Sequence, residues 1–345
     1  MNGGGSSGRH HRLAGALALG VGAVAAAGSV LQHRSVARAV VTEQDIESEG
    51  LTLPGDLLHH LVEAEDGGRI HVVEGGTGPV VVLLHGFLLD SSIWAHQFRD
   101  LAHQRRVIAI DHRAHGKSLA GVGAPGIRRL AADLAAVLEE MDLSDVLLVG
   151  HSMGGMVALQ FALDSRKAMR NRVAGIVLAS TLAGPFLQLP GWGALARVGA
   201  PVSARAVLLA GRLGVPGVLS HDLRYWVSRL AFGSDARPAQ VRFVEALHTT
   251  TSSRTLAGLL PSLALFDVFA GLGSIEEPVL VVVGSHDRLT PPRAARRMAG
   301  ALPHAQLAEL ARCGHMPMIE RPHEFSRMLD EFADKIERRS VERRS

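Results

Sequence analysis

Val146-Leu147-Leu148-Val149-Gly150-His151-Ser152-Met153-Gly154-Gly155-Met156-Val157-Ala158-Leu159 runs from an apolar stretch, through a glycine-flanked serine, into a second apolar stretch. The first stretch reads as a buried strand and the second as the start of a helix, which puts Ser152 on a sharp strand-to-helix turn. Such a turn strains the backbone and crowds helix against strand, so Gly150 and Gly154 supply the room that a Cβ would fill. The pattern is that of a nucleophile elbow, and the flanking strand and helix carry the reading more than the G-x-S-x-G letters do in a chain with 38 glycines.

A hydroxyl is a poor nucleophile at neutral pH, so the reading requires a base, a group to orient it, and donors for an oxyanion. Cys313-Gly314-His315-Met316-Pro317 leaves a short run, Ala305 to Ala311, that reads as a last strand, and His315 is the base candidate. Pro278 to Gly284 is a continuous apolar strand, and Asp287 in the Ser285-His286-Asp287 turn at its end is the orienting acid. The order Ser, Asp, His is the order in which such an elbow meets its partners. Val80 to Leu84 is another buried strand, followed by His85-Gly86-Phe87; the backbone N–H groups of Phe87 and Met153 are the oxyanion donors.

These segments, with Asp111-His112-Arg113-Ala114-His115-Gly116-Lys117-Ser118, Gly284 to Pro291 and Glu320-Arg321-Pro322, resemble the α/β-hydrolase family, in its lid-bearing branch with a serine nucleophile. The resemblance spans residues from about 55 to 335. It implies a doubly wound, mainly parallel eight-stranded sheet with an α-helical lid, and a triad of Ser152, Asp287 and His315. The family usually has glycine where Ala114 stands, so the turn after the fourth strand is expected to differ. Serine at the elbow argues against the haloalkane dehalogenases and epoxide hydrolases, which use a carboxylate. Cofactor-free haloperoxidases and perhydrolases resemble the chain in part, often with Trp at the position of Phe87. They stay open as alternatives, as do C–C bond hydrolases and a ligand-binding protein with a vestigial triad.

Other polar residues have less to do. His85 and His151 flank the site and are candidates for the pocket wall or for bonds to main chain. His112, His115 and His286 are expected on the polar surface of their loops, and Asp111, ending the strand Val107 to Ile110, is a rival acid whose motif reads as a loop-fixing turn. No metal-ligand spacing is present: His10-His11 and His59-His60 are adjacent pairs whose side chains diverge. Gly75-Gly76-Thr77-Gly78 lacks the Lys and Ser/Thr of a phosphate loop. No metal and no cofactor are therefore expected. The single Cys313 cannot form an internal disulfide.

With 345 residues, 47% of them hydrophobic and 20% charged, the chain can bury a large core. Lys and Arg number 36 against 33 Asp and Glu, an excess too small and too concentrated in the tails for a nucleic-acid face. The expected organisation is an N-terminal tail (1–54), a hydrolase core (55–181 and 278–337), a lid (182–277) and a charged tail (338–345). The core opens on a hairpin of Leu58 to Ala64 and Ile70 to Glu74. Apolar spacings of three or four then mark helices at Trp94 to Leu101, Ile127 to Met141 and Phe325 to Ile336.

The insertion between the strands at Ile176 and Pro278 is too long for a structureless loop, and its apolar spacing at 225–227 and 241–247 is helical. Phe186, Leu187, Trp192 and Trp226 either line an apolar substrate pocket beneath it or glue it to the core. The expected partner is a small apolar ester or thioester. Finally, Leu13 to Leu31 is an uncharged 19-residue run bracketed by Arg9, Arg12, Arg34 and Arg38, about the length of a bilayer span. An uncleaved membrane anchor is the expectation, with a secretory signal cleaved near Ala25 to Ala27, or a cytoplasmic protein, as alternatives. Oligomeric state is not legible.

Overall fold

Four stretches of Val, Leu and Ile, at 80–84, 106–110, 146–151 and 279–284, form the centre of the sheet because helices cover both of its faces, so inward alternation gives way to continuous apolar runs. The computed structural model describes Asp45, Tyr225 and residues 50–123, 125–185, 228–248 and 253–344. Phe186, Leu187, Trp192, Trp226 and the run 13–31 lie outside the described residues. No described helix is long and apolar enough to cross a membrane.

The strands are β1 (Leu58–Glu63), β2 (Arg69–Gly75), β3 (Val80–Leu84), β4 (Arg106–Ile110), β5 (Val146–His151), β6 (Val173–Ala179), β7 (Val279–Gly284) and β8 (Ala305–Leu310). They form one 8-stranded sheet in the order β1-β2-β4-β3-β5-β6-β7-β8. Strand β2 runs antiparallel to both β1 and β4, and the remaining pairs are parallel. The helices, in chain order, are α1 (Ala95–Leu101), α2 (Ile127–Glu140), α3 (Met153–Asp164), α4 (Arg166–Arg172), α5 (Pro238–Leu247), α6 (Ser253–Ala264), α7 (Pro292–Ala301), α8 (Pro317–Glu320) and α9 (Pro322–Arg344). Helix α9 runs on to Arg344, through the charged end that begins at residue 338.

The core lies in two layers. Val82, Leu84, Ile108, Leu148, Ile176 and Val281 pack on one face with Leu134, Leu138 and Phe161 of α2 and α3. Val81, Leu83, Val107, Val149, Val177 and Val282 pack on the other with Phe98 of α1 and Phe325 and Leu329 of α9. Each such side chain, fully buried, contributes roughly 1.5–3 kcal/mol of hydrophobic stabilisation.

Strand order decides where a site forms. The chain goes from β3 outward to β4 on one side, then returns to place β5 on the other. This reversal leaves a crevice beyond the carboxyl ends of β3 and β5, the usual ligand position in open α/β sheets. His85-Gly86-Phe87 leaves β3 there and Ser152 leaves β5. Residues Gln44–Ser345 form one unit. Within it, the insertion between β6 and β7 has α5 and α6 as its main described elements, joined by turns.

Candidate active site

Ser152 holds φ 51° and ψ −114°, a strained conformation for a side-chain-bearing residue, at the point where β5 becomes α3. Two neighbouring contacts keep it there: its N–H donates to Ala179 O (2.9 Å), and Thr181 Oγ1 donates to its carbonyl (2.6 Å). The glycines meet the crowding foreseen for them. A Cβ on Gly150 would fall 2.5 Å from Gly154 O, and one on Gly154 would fall 2.2 Å from Leu84 O.

Asp287 follows β7 and is 3% exposed. Its Oδ1 accepts from the N–H groups of Leu289 (2.9 Å) and Thr290 (2.8 Å), and its Oδ2 accepts from Thr290 Oγ1 (2.6 Å) and lies 3.0 Å from His315 Nδ1. Burial alone would raise this carboxyl, but the His315 imidazole and the Thr290 donors outweigh it and hold the group below the ordinary carboxylate range. With Nδ1–H committed to Asp287, a neutral His315 has a bare Nε2 with which to take a proton. Sequence reasoning passed over Thr290, although a hydroxyl three residues after an acid in a turn is a recognisable local donor.

Ser152, His151, His315, Gly86, Phe87 and Met153 all border one cavity of about 270 Å³. Its other walls are mainly apolar, with Leu88, Leu89, Met156 and Met316 from the core and Val244, Leu260 and Leu263 from the insertion, while Thr290 and, from the insertion, His248 are the polar exceptions. A larger cleft, about 440 Å³, opens beside Val80, Leu147 and Ile336. It holds Arg105, already engaged by Asp330, Asp334 and Glu337, and brings no base to a nucleophile.

His85 lies behind the cavity instead of on its wall. Its Nε2 accepts from the N–H of His112 (2.9 Å), so Nδ1 carries the proton, which it donates to Gly86 O (2.7 Å). The Gly86 carbonyl and the Phe87 N–H belong to one planar peptide, so fixing the oxygen fixes the direction of the N–H. His151 differs. Its Nε2 donates to His315 O (2.9 Å), tying the elbow to the His315 loop, while its buried Nδ1 has no hydrogen-bond partner among the described residues. Burial, reinforced by the neighbouring His315, keeps His151 well below the ordinary histidine value and hence neutral.

Two expectations need correction. His112 and His115 are buried at 3% and 1% exposure, not on the surface, because the turn after β4 folds inward and packs both rings against His85, with centroids 4.6 and 5.3 Å away. Desolvation disfavours the imidazolium in both and pushes His115 down to about 3. His286 is exposed as expected. Asp111, the rival acid, is tied up elsewhere by His71 Nδ1 (2.8 Å) and by the N–H groups of Ser91 (2.7 Å) and Lys117 (2.9 Å). Among the described residues no group of three or more His, Cys, Asp or Glu is placed to hold a metal ion.

The likenesses to known proteins follow the same outline. A 2-hydroxy-6-oxononadienedioate/2-hydroxy-6-oxononatrienedioate hydrolase of Cupriavidus pinatubonensis is 29% identical over 277 residues, covering 76% of this chain and 90% of the relative. The solved structure of a thermophilic esterase from Thermogutta terrifontis superposes with a TM-score of 0.69 at 27% identity, over 82% of this chain and 99% of that one. A bromoperoxidase from Bacillus anthracis shares the fold, with a TM-score of 0.69 at 20% identity, over 80% of this chain and 100% of that one. The family model of the alpha/beta hydrolase fold matches residues 79–322. That stretch begins at β3 and ends just past the His315 loop, enclosing every strand end from which the site is built, and the chain accordingly belongs to the α/β-hydrolase family and is an enzyme of it.

Proposed function

We propose that this α/β-hydrolase cleaves carboxylic esters or thioesters of apolar acyl groups through an acyl-enzyme on Ser152. His315 Nε2 takes the proton as Ser152 Oγ attacks the carbonyl carbon, and the charge gathering on the carbonyl oxygen is met by the N–H groups of Phe87 and Met153. Asp287 holds the imidazole in the reactive tautomer and stabilises the imidazolium. The proton then passes to the departing alcohol or thiol, water attacks the acyl carbon with His315 again as base, and Ser152 is released.

One observation carries this reading: a strained serine and the histidine of a buried Asp–His pair border the same cavity, whose remaining walls are mostly apolar. Insertion residues on those walls support assigning 182–277 as a lid over the acyl group. The uncharged run 13–31, flanked by arginines, supports a membrane anchor, which would suit lipid-like substrates.

A fluorophosphonate probe is expected to label Ser152, and Ser152→Ala should abolish both labelling and hydrolysis of short p-nitrophenyl esters, a loss on the order of 10⁶ in kcat. Labelling that persists in Ser152→Ala would sink the assignment. Turnover of a C–C bond substrate or of hydrogen peroxide in preference to esters would redirect it to the other chemistries that use the same residues.

A further inference from the structure

The loop that carries His315 is held from both sides by main-chain bonds. The His315 N–H donates to Ala231 O (2.6 Å), in the insertion, and the His315 carbonyl accepts from His151 (2.9 Å), on the elbow. Glu320 completes the arrangement. Its carboxylate is 8% exposed; Oε1 accepts from the N–H groups of Gly314 (2.9 Å) and Met316 (3.2 Å), the two neighbours of His315, and Oε2 accepts from the N–H of Gly233 (2.7 Å).

One side chain thus fastens the residues on either side of the base to the insertion. Around it, Asp235 of the insertion pairs with Arg312 (2.8 Å) and Arg321 (3.4 Å), and Gln240 Nε2 of α5 donates to Ile319 O (3.1 Å). The fit leaves no slack: a Cβ on Gly314 would fall 2.4 Å from Gly233 N and 2.5 Å from Phe232 C.

We propose that Glu320 is a positioning residue for the base, and that residues 231–235 of the insertion form the seat on which it fixes the His315 loop. The inference rests on His315 acting as the base. Its physical content is that the insertion does more than cover substrate. Any displacement of residues 231–235 pulls on the His315 backbone directly, and a carboxylate shared by three N–H groups is the joint through which that pull is transmitted. Burial pushes the Glu320 carboxyl above the ordinary carboxylate range, and the three amide dipoles, more than the neighbouring Arg321 guanidinium, oppose that shift; Cys313 Sγ (3.9 Å) is the other polar atom beside it.

The test is Glu320→Gln in the full-length protein, which sets an amide NH₂ against at least one N–H that the carboxylate had satisfied. The expected result is a fall of about tenfold or more in kcat on p-nitrophenyl hexanoate with KM little changed, because a base displaced by a fraction of an ångström loses rate before it loses binding. The downfield proton resonance of the His315 Nδ1–H bonded to Asp287 should broaden or vanish in the same variant. Arg105→Gln, at the opposite end of the sheet, serves as a destabilised control and should keep that resonance.

If Glu320→Gln does not fold, Gly233→Ala presses on the same joint, since its Cβ would lie 3.0 Å from Glu320 Oε2 and 2.8 Å from Arg312 O, and should give the same signature. An unchanged kcat and an unchanged resonance in a folded variant would overturn the proposal. A wild type that turns over no ester, yet shows the resonance and loses it in Glu320→Gln, would defeat the hydrolase reading and leave the positioning role standing.

Discussion

Two buried Asp–His pairs stand at carboxyl ends of the same sheet, and they differ in what surrounds the far side of the imidazole. Asp287 and His315, 3.0 Å apart, follow β7 and β8, and His315 borders a cavity that also holds a serine. Asp111 follows β4 and His71 lies on β2, 2.8 Å away, but His71 Nε2 ends against His59 Nδ1 (2.9 Å). The nitrogen that would take a proton is thus occupied by a second imidazole, and the nearby Ser118 hydroxyl is spent on the Asp111 carbonyl. An aspartate that holds a histidine is therefore not in itself a site. In one place the pairing faces a cavity with room for a reacting atom, and in the other it staples a turn.

The sharpest way to break the comparison is to neutralise each acid. Asp287→Asn is expected to lower kcat by about 10⁴, since Asn holds the imidazole in the wrong tautomer, while the melting temperature moves little. Asp111→Asn should do the reverse, leaving kcat within a few-fold and costing on the order of 2–3 kcal/mol, because a charged acceptor of two N–H groups and an imidazole is lost. Steady-state kinetics beside thermal unfolding of the two variants would show it, and equal kinetic damage would erase the distinction.

The two regions meet at His85, which takes a proton bond from the turn after β4 and passes one to the Gly86 carbonyl. His85→Leu removes both bonds while roughly preserving volume, so the Phe87 N–H loses its fixed direction. A loss of about 10² in kcat, with little change in KM, is expected for a weakened oxyanion donor. Should KM rise while kcat holds, His85 acts on substrate binding and not on the oxyanion.

Acid sharpens the contrast further. Although burial opposes it, the hydrogen bond from His71 and the N–H donors of Lys117 and Ser91 hold the Asp111 carboxyl down to about 2, against an ordinary 3.8. A carboxyl depressed in the folded state contributes stability that is present above its unfolded value and lost as pH falls toward its folded one. Asp111 should thus contribute about 2 kcal/mol near neutrality, fading between roughly pH 4 and 2. Urea unfolding of wild type and Asp111→Asn across that range should converge as pH falls; curves that stay parallel would refute the linkage.

What the sequence disclosed and what it hid divide along the same line. That Ser152 and His315 would meet at one cavity, with Asp287 against the imidazole, was legible because each lies within a few residues of a strand end, so chemistry and local structure coincide. The eight-stranded sheet was legible for the same reason. The role of His71 was not, because its partner Asp111 is 40 residues away across an antiparallel pairing that no local pattern announces. The burial of His112 and His115 was missed because loop histidines are ordinarily solvated, and only the inward fold of the turn brings them under His85. The insertion announced its helices through apolar period, but period does not say which residues reach the cavity: Leu260 and Leu263 border it, and neither stood out in the sequence.

Ala114 gives the smallest and most local test. It lies in the Asp111 turn with φ 61°, in the left-handed region, where a Cβ approaches the following carbonyl and costs about 1–2 kcal/mol relative to glycine. Part of that gain is offset in Ala114→Gly by the greater freedom of glycine in the unfolded chain, roughly 0.5–1 kcal/mol. The variant should therefore be more stable by up to about 1 kcal/mol, seen as a rise of at most about 2 °C in melting temperature, with kcat and KM unchanged. Such a result would place the turn after β4 wholly on the scaffold side of the comparison. If kcat changed as well, the turn would be adjusting the oxyanion donor through His112 and His85, and the boundary between staple and site would have to move inward to include it.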